Sequence, residues 1–317
     1  MSAFLRCSSS RLETRFGSQR SHPCSRAAPR FLFLRRNMIM ILSEYLKKEY
    51  GEKLYKIYLH SGCICPGRCA FCAHGGSSVS PDAALPLEEQ YKGAVAAISR
   101  KYRNGSYIAY FGSYTNTYGD PTALEALYRR ALALDGVKIL SIATRPDCLG
   151  PQMLDMLSRL RQIAPVWVEL GLQTGNEAAA TAFGRGYDNA CYVQAAQELR
   201  RRGIVVITHC ILGLPNDEDF APTAKLLNAC TDGVKFTQLY LVRDSAWAES
   251  DIPTLSLEEY TERLMAAIGM LDERIVLHRL TGDPPQDALI APKWCKDKRR
   301  ANNYIRKRLS NADTSHP

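Results

Sequence analysis

Short apolar runs alternate with longer amphipathic stretches from about residue 54 onward. Six of the apolar runs are rich in Val, Ile and Tyr, which is typical of buried strands. The predicted strands are 54–59, 107–111, 137–142, 166–172, 204–212 and 234–241. The stretches between them carry apolar residues at helical spacing. Because each connection is long enough to hold a helix, the pattern predicts parallel strands.

The number of units limits the architecture. Six β/α units are too few to close an eight-stranded barrel. We therefore predict an α/β fold, an open (β/α)6 partial TIM barrel of parallel strands with a small C-terminal extension. The predicted core covers residues 41–250, the extension that closes the barrel covers 251–309, and a disordered tail covers 310–317. Functional residues should lie at the carboxyl ends of the strands, as they do in barrels generally.

The positive charge of the chain is concentrated near its start. The whole chain carries a net charge of +9, but residues 1–37 alone contain eight arginines and one acid, Glu13, for a net charge of +7. This Ser- and Arg-rich segment resembles an organellar transit peptide, and an over-extended start before Met38 or Met40 explains it equally well. We expect residues 1–37 to be disordered and outside the fold. The near-neutral remainder does not indicate a general nucleic-acid-binding surface.

Hydropathy and cysteine usage suggest a compartment. No apolar run reaches the ~18 residues needed to span a bilayer. The 11 cysteines, an odd number without a secretory signal, suit a reducing environment better than a disulfide framework. We therefore expect a cytoplasmic protein without a membrane partner, and import into an organelle through residues 1–37 stays open.

Three cysteines follow the first predicted strand closely. Cys65, Cys69 and Cys72 form a C-x3-C-x2-C run, with Phe71 just before the last of them. Cubane iron–sulfur clusters ordinarily take four cysteines, so a run of three leaves one iron open. An open iron can bind S-adenosylmethionine (SAM) through its amino and carboxylate groups and pass an electron into the sulfonium, which releases an adenosyl radical. The run resembles the signature of the radical SAM superfamily.

Two non-catalytic interpretations compete with this one. Structural zinc needs four ligands, and Cys63 is a candidate for the fourth, although the usual paired C-x2-C knuckles are absent. A simple iron–sulfur electron carrier would fill every iron position with protein ligands. The three-cysteine run favours an open iron over either a zinc-binding or an iron–sulfur-binding protein without catalytic activity.

Longer segments resemble the YhcC-like (YtqA-like) radical SAM proteins. They are YFGSYTNTY (110–118), TRPDC (144–148), ELGLQT (169–174), ILGLP (211–215), LSLEEY (255–260) and HRLTGD (278–283). The resemblance covers residues 41 to about 308, and the radical SAM domain of the elongator catalytic subunit is a wider relative. The chain departs from the family at two places. Only residues 66–68 separate the first two cluster cysteines, where the family has a longer insert, and Gly112 replaces a Gln.

The residues and the resemblance together predict where SAM binds. The turn after the second strand offers carbonyls and hydroxyls for the SAM ammonium. Glu169 and Gln173 share one strand face, where Glu169 serves SAM or a structural salt bridge. The Arg185 fork suits the SAM carboxylate. The resemblance implies that Arg185 ranks above Arg145, because related proteins use an arginine at the matching place, and it also implies that adenine packs on the backbone of the Gly213 turn. The predicted cofactor-binding residues are Tyr114, Thr115, Asn116, Arg145, Glu169, Gln173, Arg185 and Gly213.

The segment 278–295 is rich in polar residues and proline. It is predicted to close the open side of the barrel, either as part of the substrate site or as a structural plug. The sequence does not identify a catalytic residue, but Arg279, Asp283 and Cys295 are candidates. Cys295 could donate hydrogen to a substrate radical or bind a second metal.

The sequence therefore predicts a radical SAM enzyme of the Fe–S oxidoreductase type, with a [4Fe–4S] cluster and SAM as cofactors. It would cleave SAM to methionine and a 5′-deoxyadenosyl radical, which abstracts hydrogen from an unidentified substrate. A flavodoxin- or ferredoxin-type protein is the expected reductant. RNA is one candidate substrate, because the elongator resemblance and the basic C-terminal residues suggest tRNA modification, whereas the near-neutral body argues against it.

Overall fold

A curved sheet of parallel strands forms the centre of the protein. The computed structural model describes residues 40–67, 69–72, 82–99 and 105–314, with side chains to residue 311. In chain order, the strands of these residues are β1 (Leu54–Tyr58), β2 (Ser106–Phe111), β3 (Val137–Thr144), β4 (Val166–Gln173), β5 (Val205–Leu212), β6 (Gly233–Gln238), β7 (Leu241–Val242), β8 (Val276–Arg279) and β9 (Leu289–Ala291). Seven of them form one parallel sheet in the order β1-β2-β3-β4-β5-β6-β8, and β7 pairs with β9 in a separate antiparallel ribbon. The predicted α/β partial barrel is confirmed.

Amphipathic helices connect the strands. The helices of the described residues are α1 (Leu42–Tyr50), α2 (Leu87–Ser99), α3 (Pro121–Leu132), α4 (Pro151–Arg161), α5 (Glu177–Ala182), α6 (Asn189–Arg201), α7 (Ala221–Cys230), α8 (Leu257–Gly269) and α9 (Lys298–Thr314). Local signals fix several starts: Asp120 accepts a 2.8 Å hydrogen bond from the amide of Ala123 and precedes a proline in the first turn of α3. Such an N-cap contributes about 1 kcal/mol. Apolar residues of these helices and of the outer sheet face form the main core.

A smaller apolar cluster fills the amino-terminal end of the barrel. It contains Leu54, Ile108, Ile139 and Trp167 from neighbouring strands, and Leu46 of α1 packs into it. The same helix is tied to the last strand of the sheet, because the amide of Leu277 in β8 donates to the carbonyl of Met40 at 2.9 Å. Helix α1 therefore covers the floor of the barrel, at the end opposite to the predicted site.

The structure corrects the prediction at two places. The sheet has a seventh strand, β8, which is only four residues long and includes His278 and Arg279, so it lacks the apolar run that marks the other strands. The predicted extension thus adds a strand to the barrel. Residues 310–314 are helical rather than disordered, because α9 is anchored by buried Ala301 and Ile305 and continues beyond them.

Some predictions lie outside the described residues. Those for residues 1–37 and 315–317 fall there, and the division of the chain at residue 250 stays a prediction. Within the part of the chain that the structure describes, no helix is both long and apolar enough to cross a membrane.

Candidate cofactor site

The cysteine loop lies at the carboxyl end of β1. Cys65, Cys69 and Cys72 follow this strand within 14 residues of its end at Tyr58. β1 is the first strand in the order of the sheet, and the other six strands run parallel to it and end at the same edge. This is the edge at which barrel proteins carry their functional residues.

Two residues of the loop, Ala70 and Phe71, hold it against the neighbouring residues Phe183 and Trp247. The ring of Phe71 packs edge-on against Phe183, with centroids 5.2 Å apart, and lies 6.4 Å from Trp247. The backbone of Ala70 donates to the carbonyl of Phe183 at 2.8 Å and accepts from the amide of Trp247 at 3.1 Å. The aromatic residue before the last cysteine therefore anchors the loop, which gives its place in the motif a structural reason.

The three sulfurs lie close enough to influence one another. Cys72 is exposed, yet the protein atoms packed around its thiol raise the pKa to about 11, and the neighbouring Cys69 and Cys65 add to the rise. Burial also raises the pKa of Cys69. Thr115 donates a 3.2 Å hydrogen bond to the Cys65 sulfur. A bound metal deprotonates its thiol ligands outright, so iron would supply the positive charge that three adjacent thiolates need.

The ligand arrangement differs from that of a closed zinc site. Cys63, the candidate fourth ligand, is buried in the main core, and its sulfur lies 3.7 Å from the position that a Cβ would take on Gly119. A zinc site collects four ligands around one ion. In the described residues, no three His, Cys, Asp or Glu side chains converge on one point in this way. The cysteines of a cubane stand further apart than the ligands of a zinc ion, because each binds a different iron.

Arg145 and Gly67 meet beside the cysteine loop. A Cβ on Gly67 would lie 2.0 Å from Arg145 Nη1, so the glycine makes room for the guanidinium. Arg145 also pairs with Asp147 through two hydrogen bonds of 2.9 and 2.7 Å and lies 4.8 Å from the centre of the Tyr187 ring. Gly67 lies between the first two cysteines of the loop, so the ion pair of Arg145 and Asp147 stands at the edge of the predicted cluster site.

The turn after β2 combines strain with extensive hydrogen bonding. Tyr114 has a φ of 61°, which non-glycine residues rarely adopt, and its ring packs against His60 with centroids 5.4 Å apart. Asn116 is buried, and its amide nitrogen donates to the carbonyls of Phe111, Ser113 and Ala143 at 2.8–2.9 Å. Asn116 therefore positions the turn, whereas the contact of its side chain with SAM stays a prediction.

Glu169 lies deeper, on the inner wall of the barrel. Its carboxylate accepts 3.0 Å hydrogen bonds from Lys56 and Ser141, is 2.9 Å from His209 Nε2, and pairs with Lys235. These residues belong to β1, β3, β5 and β6, and strands that are not neighbours can meet in this way only across the concave side. The structural salt bridge, which the sequence left open, is thus the arrangement that the structure shows for Glu169.

Burial and the neighbouring lysines set the protonation states of Glu169, His209 and His278 on the inner wall. Burial alone would raise the pKa of Glu169, but Lys235 and Lys56 hold it well below its ordinary value. Burial lowers the pKa of His209 to about 4 and also lowers that of His278. At neutral pH the carboxylate is therefore ionised and both imidazoles are neutral.

Gln173 ends β4 at an irregularity of the strand. The pairing with β5 shifts register between Gly171 and Gln173, and Gln173 has a φ of 66°. A Cβ on Gly171 would lie 2.9 Å from Gln173 Nε2 and 3.1 Å from Tyr187 Oη. The amide thus occupies the space above the inner face of Gly171, where the prediction from strand alternation placed it, and its contact with SAM stays a prediction.

Arg185 is buried and bonded to the protein itself. Its guanidinium donates to the carbonyls of Tyr187, Leu172 and Thr174 at 2.7–3.1 Å and to the carboxylate of Glu177 at 2.8 Å. These bonds tie the end of β4 to α5. Arg145 is likewise paired with Asp147, and the predicted contact between Arg185 and the SAM carboxylate stays a prediction.

The Gly213 turn has the conformation that its sequence requires. Gly213 has a φ of 92°, and a Cβ there would lie 2.9 Å from a methyl carbon of Leu255. Both the backbone and the close packing therefore demand glycine. The packing of adenine on this turn stays a prediction.

The three candidates of the C-terminal segment lie on the β6 and β8 side of the barrel. Arg279 Nη2 donates to Thr237 Oγ1 at 2.5 Å, and Asp283 pairs with a lysine of α9. Cys295 is buried, and its sulfur accepts a 2.9 Å hydrogen bond from Gln238 at the end of β6. All three act on the pKa of Tyr240, as does Cys72, so this side adjoins the cysteine loop.

Sequence reasoning missed the partners of Glu169. Lys56 and Lys235 are single charged residues within short apolar strands, the same signal that singled out Glu169. Tyr110 belongs to this group as well, since Lys235 donates to its hydroxyl at 3.2 Å. A Cβ on Gly112 would lie 2.2 Å from the Tyr110 ring, so the glycine leaves space for that ring.

A partial barrel with a three-cysteine loop at its carboxyl edge is typical of proteins that bind an iron–sulfur cluster. The comparison with known proteins identifies the family of this chain. The model of the Radical SAM superfamily matches residues 59–227, and that of the Radical_SAM C-terminal domain matches residues 231–311. The chain belongs to the radical SAM superfamily and, within it, to the YhcC/YtqA-like family. The superfamily uses a [4Fe–4S] cluster and SAM, which confirms the predicted cofactors.

Individual relatives support this assignment. The chain is 34% identical over 286 residues to the uncharacterized protein YtqA of Bacillus subtilis, a match that covers 85% of this chain and 89% of that protein. It is 31% identical over 269 residues to YhcC of Escherichia coli, covering 80% and 86% of the two chains.

A solved structure shares the fold. Elp3 of Methanocaldococcus infernus, with an N-terminal deletion, superposes with a TM-score of 0.58 at 16% identity over 70% of this chain. The match covers 59% of the Elp3 chain, and the similarity between the two proteins concerns the fold alone.

Proposed function

We propose that this protein is a radical SAM enzyme that binds a [4Fe–4S] cluster through Cys65, Cys69 and Cys72 and cleaves SAM reductively. The cluster, when bound, supplies the electron that breaks the SAM carbon–sulfur bond into methionine and a 5′-deoxyadenosyl radical. One observation carries the proposal: the three-cysteine loop lies at the carboxyl edge of the barrel, with Cys63 buried away from it. The radical then takes a hydrogen atom from a substrate.

The surrounding residues have roles that do not depend on the substrate. Phe71 anchors the loop, and Thr115 donates to the Cys65 sulfur. Arg145 supplies a positive charge beside Gly67, which supports it as the residue that faces the SAM carboxylate. Tyr114 lies in the turn after β2, and Gln173 is the last residue of β4. Both have left-handed backbones, and we assign them to SAM binding as well.

The electron must come from outside the protein. Radical SAM enzymes need an external reductant, and we infer a flavodoxin- or ferredoxin-type donor. Reduction of the reconstituted protein by either donor, followed as SAM-dependent formation of 5′-deoxyadenosine, tests this part of the proposal.

Replacing the cysteines one at a time tests the cluster assignment. We expect Cys65→Ala, Cys69→Ala and Cys72→Ala each to lose the iron–sulfur absorption and SAM cleavage after anaerobic reconstitution. Iron content, the SAM-induced change in the EPR signal of the reduced cluster, and chromatography of 5′-deoxyadenosine are the measurements.

Cys63→Ala is the matched control, since the structure turns this residue into the core. It should keep the cluster and the activity. Cleavage retained in any of the three ligand variants would contradict the assignment, and metal loss in Cys63→Ala would support a closed four-ligand site instead.

A further inference from the structure

The inner wall of the barrel carries more positive than negative charge beneath the cysteine loop. Burial lowers the pKa of Lys235 well below its ordinary value, the Glu169 carboxylate opposes this fall, and the nearby charges of Lys56 and Arg279 add to it. Glu169 is the acid among these residues. Of the other acids in the described residues, Asp283 acts on this region, and it is already paired with a lysine of α9. The region therefore holds more cations than counter-ions.

Glu169 cannot neutralise all three cations. Its two carboxylate oxygens are occupied by Lys56 and Lys235, together with neutral donors. Arg279 donates through Nη2 to the hydroxyl of Thr237, which is neutral. Arg279 Nε is buried and has no hydrogen-bond partner among the described residues. A buried cationic donor without a partner is costly, so the arrangement is more stable with an anion present.

Solvent reaches this part of the barrel. The side chain of Lys56 is 17% exposed and that of His209 is 24% exposed, although both point to the concave side. Arg279 is half-buried. A small group can therefore approach the cations from the open side of the sheet.

The carboxylate of SAM is not the expected anion. SAM bound to an open iron uses its amino and carboxylate groups as iron ligands, and the iron lies at the carboxyl edge. Glu169 stands four residues before Gln173, the last residue of β4. At a rise of about 3.3 Å per residue, this places Glu169 roughly 13 Å below the end of β4. Lys235 stands three residues before Gln238, which is roughly 10 Å below the end of β6, and Arg279 pairs in register with it. A second molecule, deeper than SAM, has to supply the negative charge.

We propose that Arg279, together with Lys56 and Lys235, binds an oxyanion of the substrate, a carboxylate or a phosphate. The site would fix the substrate below SAM and hold its reacting carbon near the edge of the barrel. This inference rests on the proposed function, in which SAM occupies the cluster end. The Arg279 fork matches the geometry of both oxyanions, and the two lysines supply charge.

Anion binding by the full-length reconstituted protein tests the inference. Inorganic phosphate and acetate serve as separate probes, titrated at constant ionic strength against chloride, with the unfolding temperature and calorimetry as readouts. We expect at least one probe to bind and raise the unfolding temperature of the wild type. Binding of acetate alone would assign a carboxylate, and binding of phosphate alone a phosphate.

Arg279→Gln is the diagnostic variant, because it removes a cation without breaking the ion pairs of Glu169. It should weaken binding of the probe by about tenfold to a hundredfold. Lys138→Gln, on the exposed outer face of β3, is the matched control and should bind as the wild type does. Lys235→Met is a second variant with the same expected direction.

Three results would overturn the inference. They are absence of probe binding in the wild type, equal binding in Arg279→Gln, and a loss of the SAM-induced EPR change in Arg279→Gln that equals its loss of anion binding. The last would assign Arg279 to SAM. Failure of the proposed function would look different, since the wild type would then form no 5′-deoxyadenosine whether or not it bound the anion.

Discussion

Glu169 shows how one residue can hold several strands together. Its side chain is fully buried and bonds to residues of β1, β3, β5 and β6. We expect Glu169→Gln to lower the free energy of unfolding by about 3–5 kcal/mol, because it leaves buried Lys235 without its counter-ion. Urea denaturation followed by circular dichroism measures this loss.

The matched control for that substitution is Glu88→Gln. Glu88 also pairs with a basic side chain, Arg130, but both are exposed to solvent. Its replacement should hardly change the urea midpoint, since exposed ion pairs contribute little. Equal midpoints for Glu169→Gln and the wild type would contradict the role assigned to the buried carboxylate.

The half-buried residues His209 and His278 predict sensitivity of the fold to mild acid. The pKa of His209 falls to about 4 in the folded protein, and burial lowers that of His278 in the same direction. Between pH 6.5 and 4 the unfolded chain therefore binds more protons, so stability should fall as the pH drops through this range. Each histidine contributes up to about 1.4 kcal/mol per pH unit.

Urea unfolding at pH 7, 6 and 5 measures this dependence. Replacing His209 by Asn should reduce the slope of the unfolding free energy against pH by up to about 1.4 kcal/mol per pH unit, the contribution of one titrating proton. A slope that stays the same in His209→Asn would show that the histidine does not titrate as its burial requires.

Among the secondary-structure elements, α1 has a role that its sequence does not reveal. Leu46 is 3% exposed and packs beneath Leu54, Ile108 and Trp167 at the floor of the barrel. We expect Leu46→Ala to cost about 2–5 kcal/mol, because it opens a cavity among these side chains. Leu85→Ala is the control, since Leu85 is 42% exposed. Similar chemical denaturation midpoints for both variants would mean that α1 does not seal the floor.

The strands and helices could be predicted to the extent that they carry a periodic pattern. The first six strands of the sheet are apolar runs between amphipathic helices, so their existence follows from the sequence. β8 is short and partly polar, and its place in the sheet depends on pairing with β6, which is distant in sequence. No local pattern encodes such a pairing.

The site shows the same limit. The prediction of Cys65, Cys69 and Cys72 as cluster ligands rests on their spacing, and strand alternation placed Glu169 on an inner face. The bonds of Arg185 go to carbonyls of Leu172 and Thr174, which the chain brings together only after β4 and α5 have packed. The sequence of this polar turn therefore does not show that four of the five N–H donors of Arg185 bond to the protein itself.

At the scale of the whole molecule, the contacts of Met40 and Ile41 indicate how much of the chain the fold needs. The described structure begins at Met40, whose carbonyl accepts from Leu277, and Ile41 forms a β-bridge with the same residue. We expect a protein that starts at Met38 to keep the unfolding temperature and the cluster of the full-length chain. Removal of residues 1–46, which deletes Leu46 and the start of α1, should lower that temperature by several degrees.

Differential scanning fluorimetry of the two shortened proteins provides the comparison. An unfolding temperature that falls already in the protein beginning at Met38 would show that the preceding residues contribute to the fold. Sequencing the amino terminus of the protein isolated from cells would show separately where the mature chain starts.

The bridge between Ile41 and Leu277 joins a helix made early in synthesis to a strand made late. While the ribosome is still adding the residues before Val276, Met40 and Ile41 have no partner strand to meet. The base of the barrel can therefore close only after nearly the whole polypeptide has emerged, long after the three cysteines have left the exit tunnel. Delivery of iron and sulfide to those cysteines thus need not wait for a finished protein.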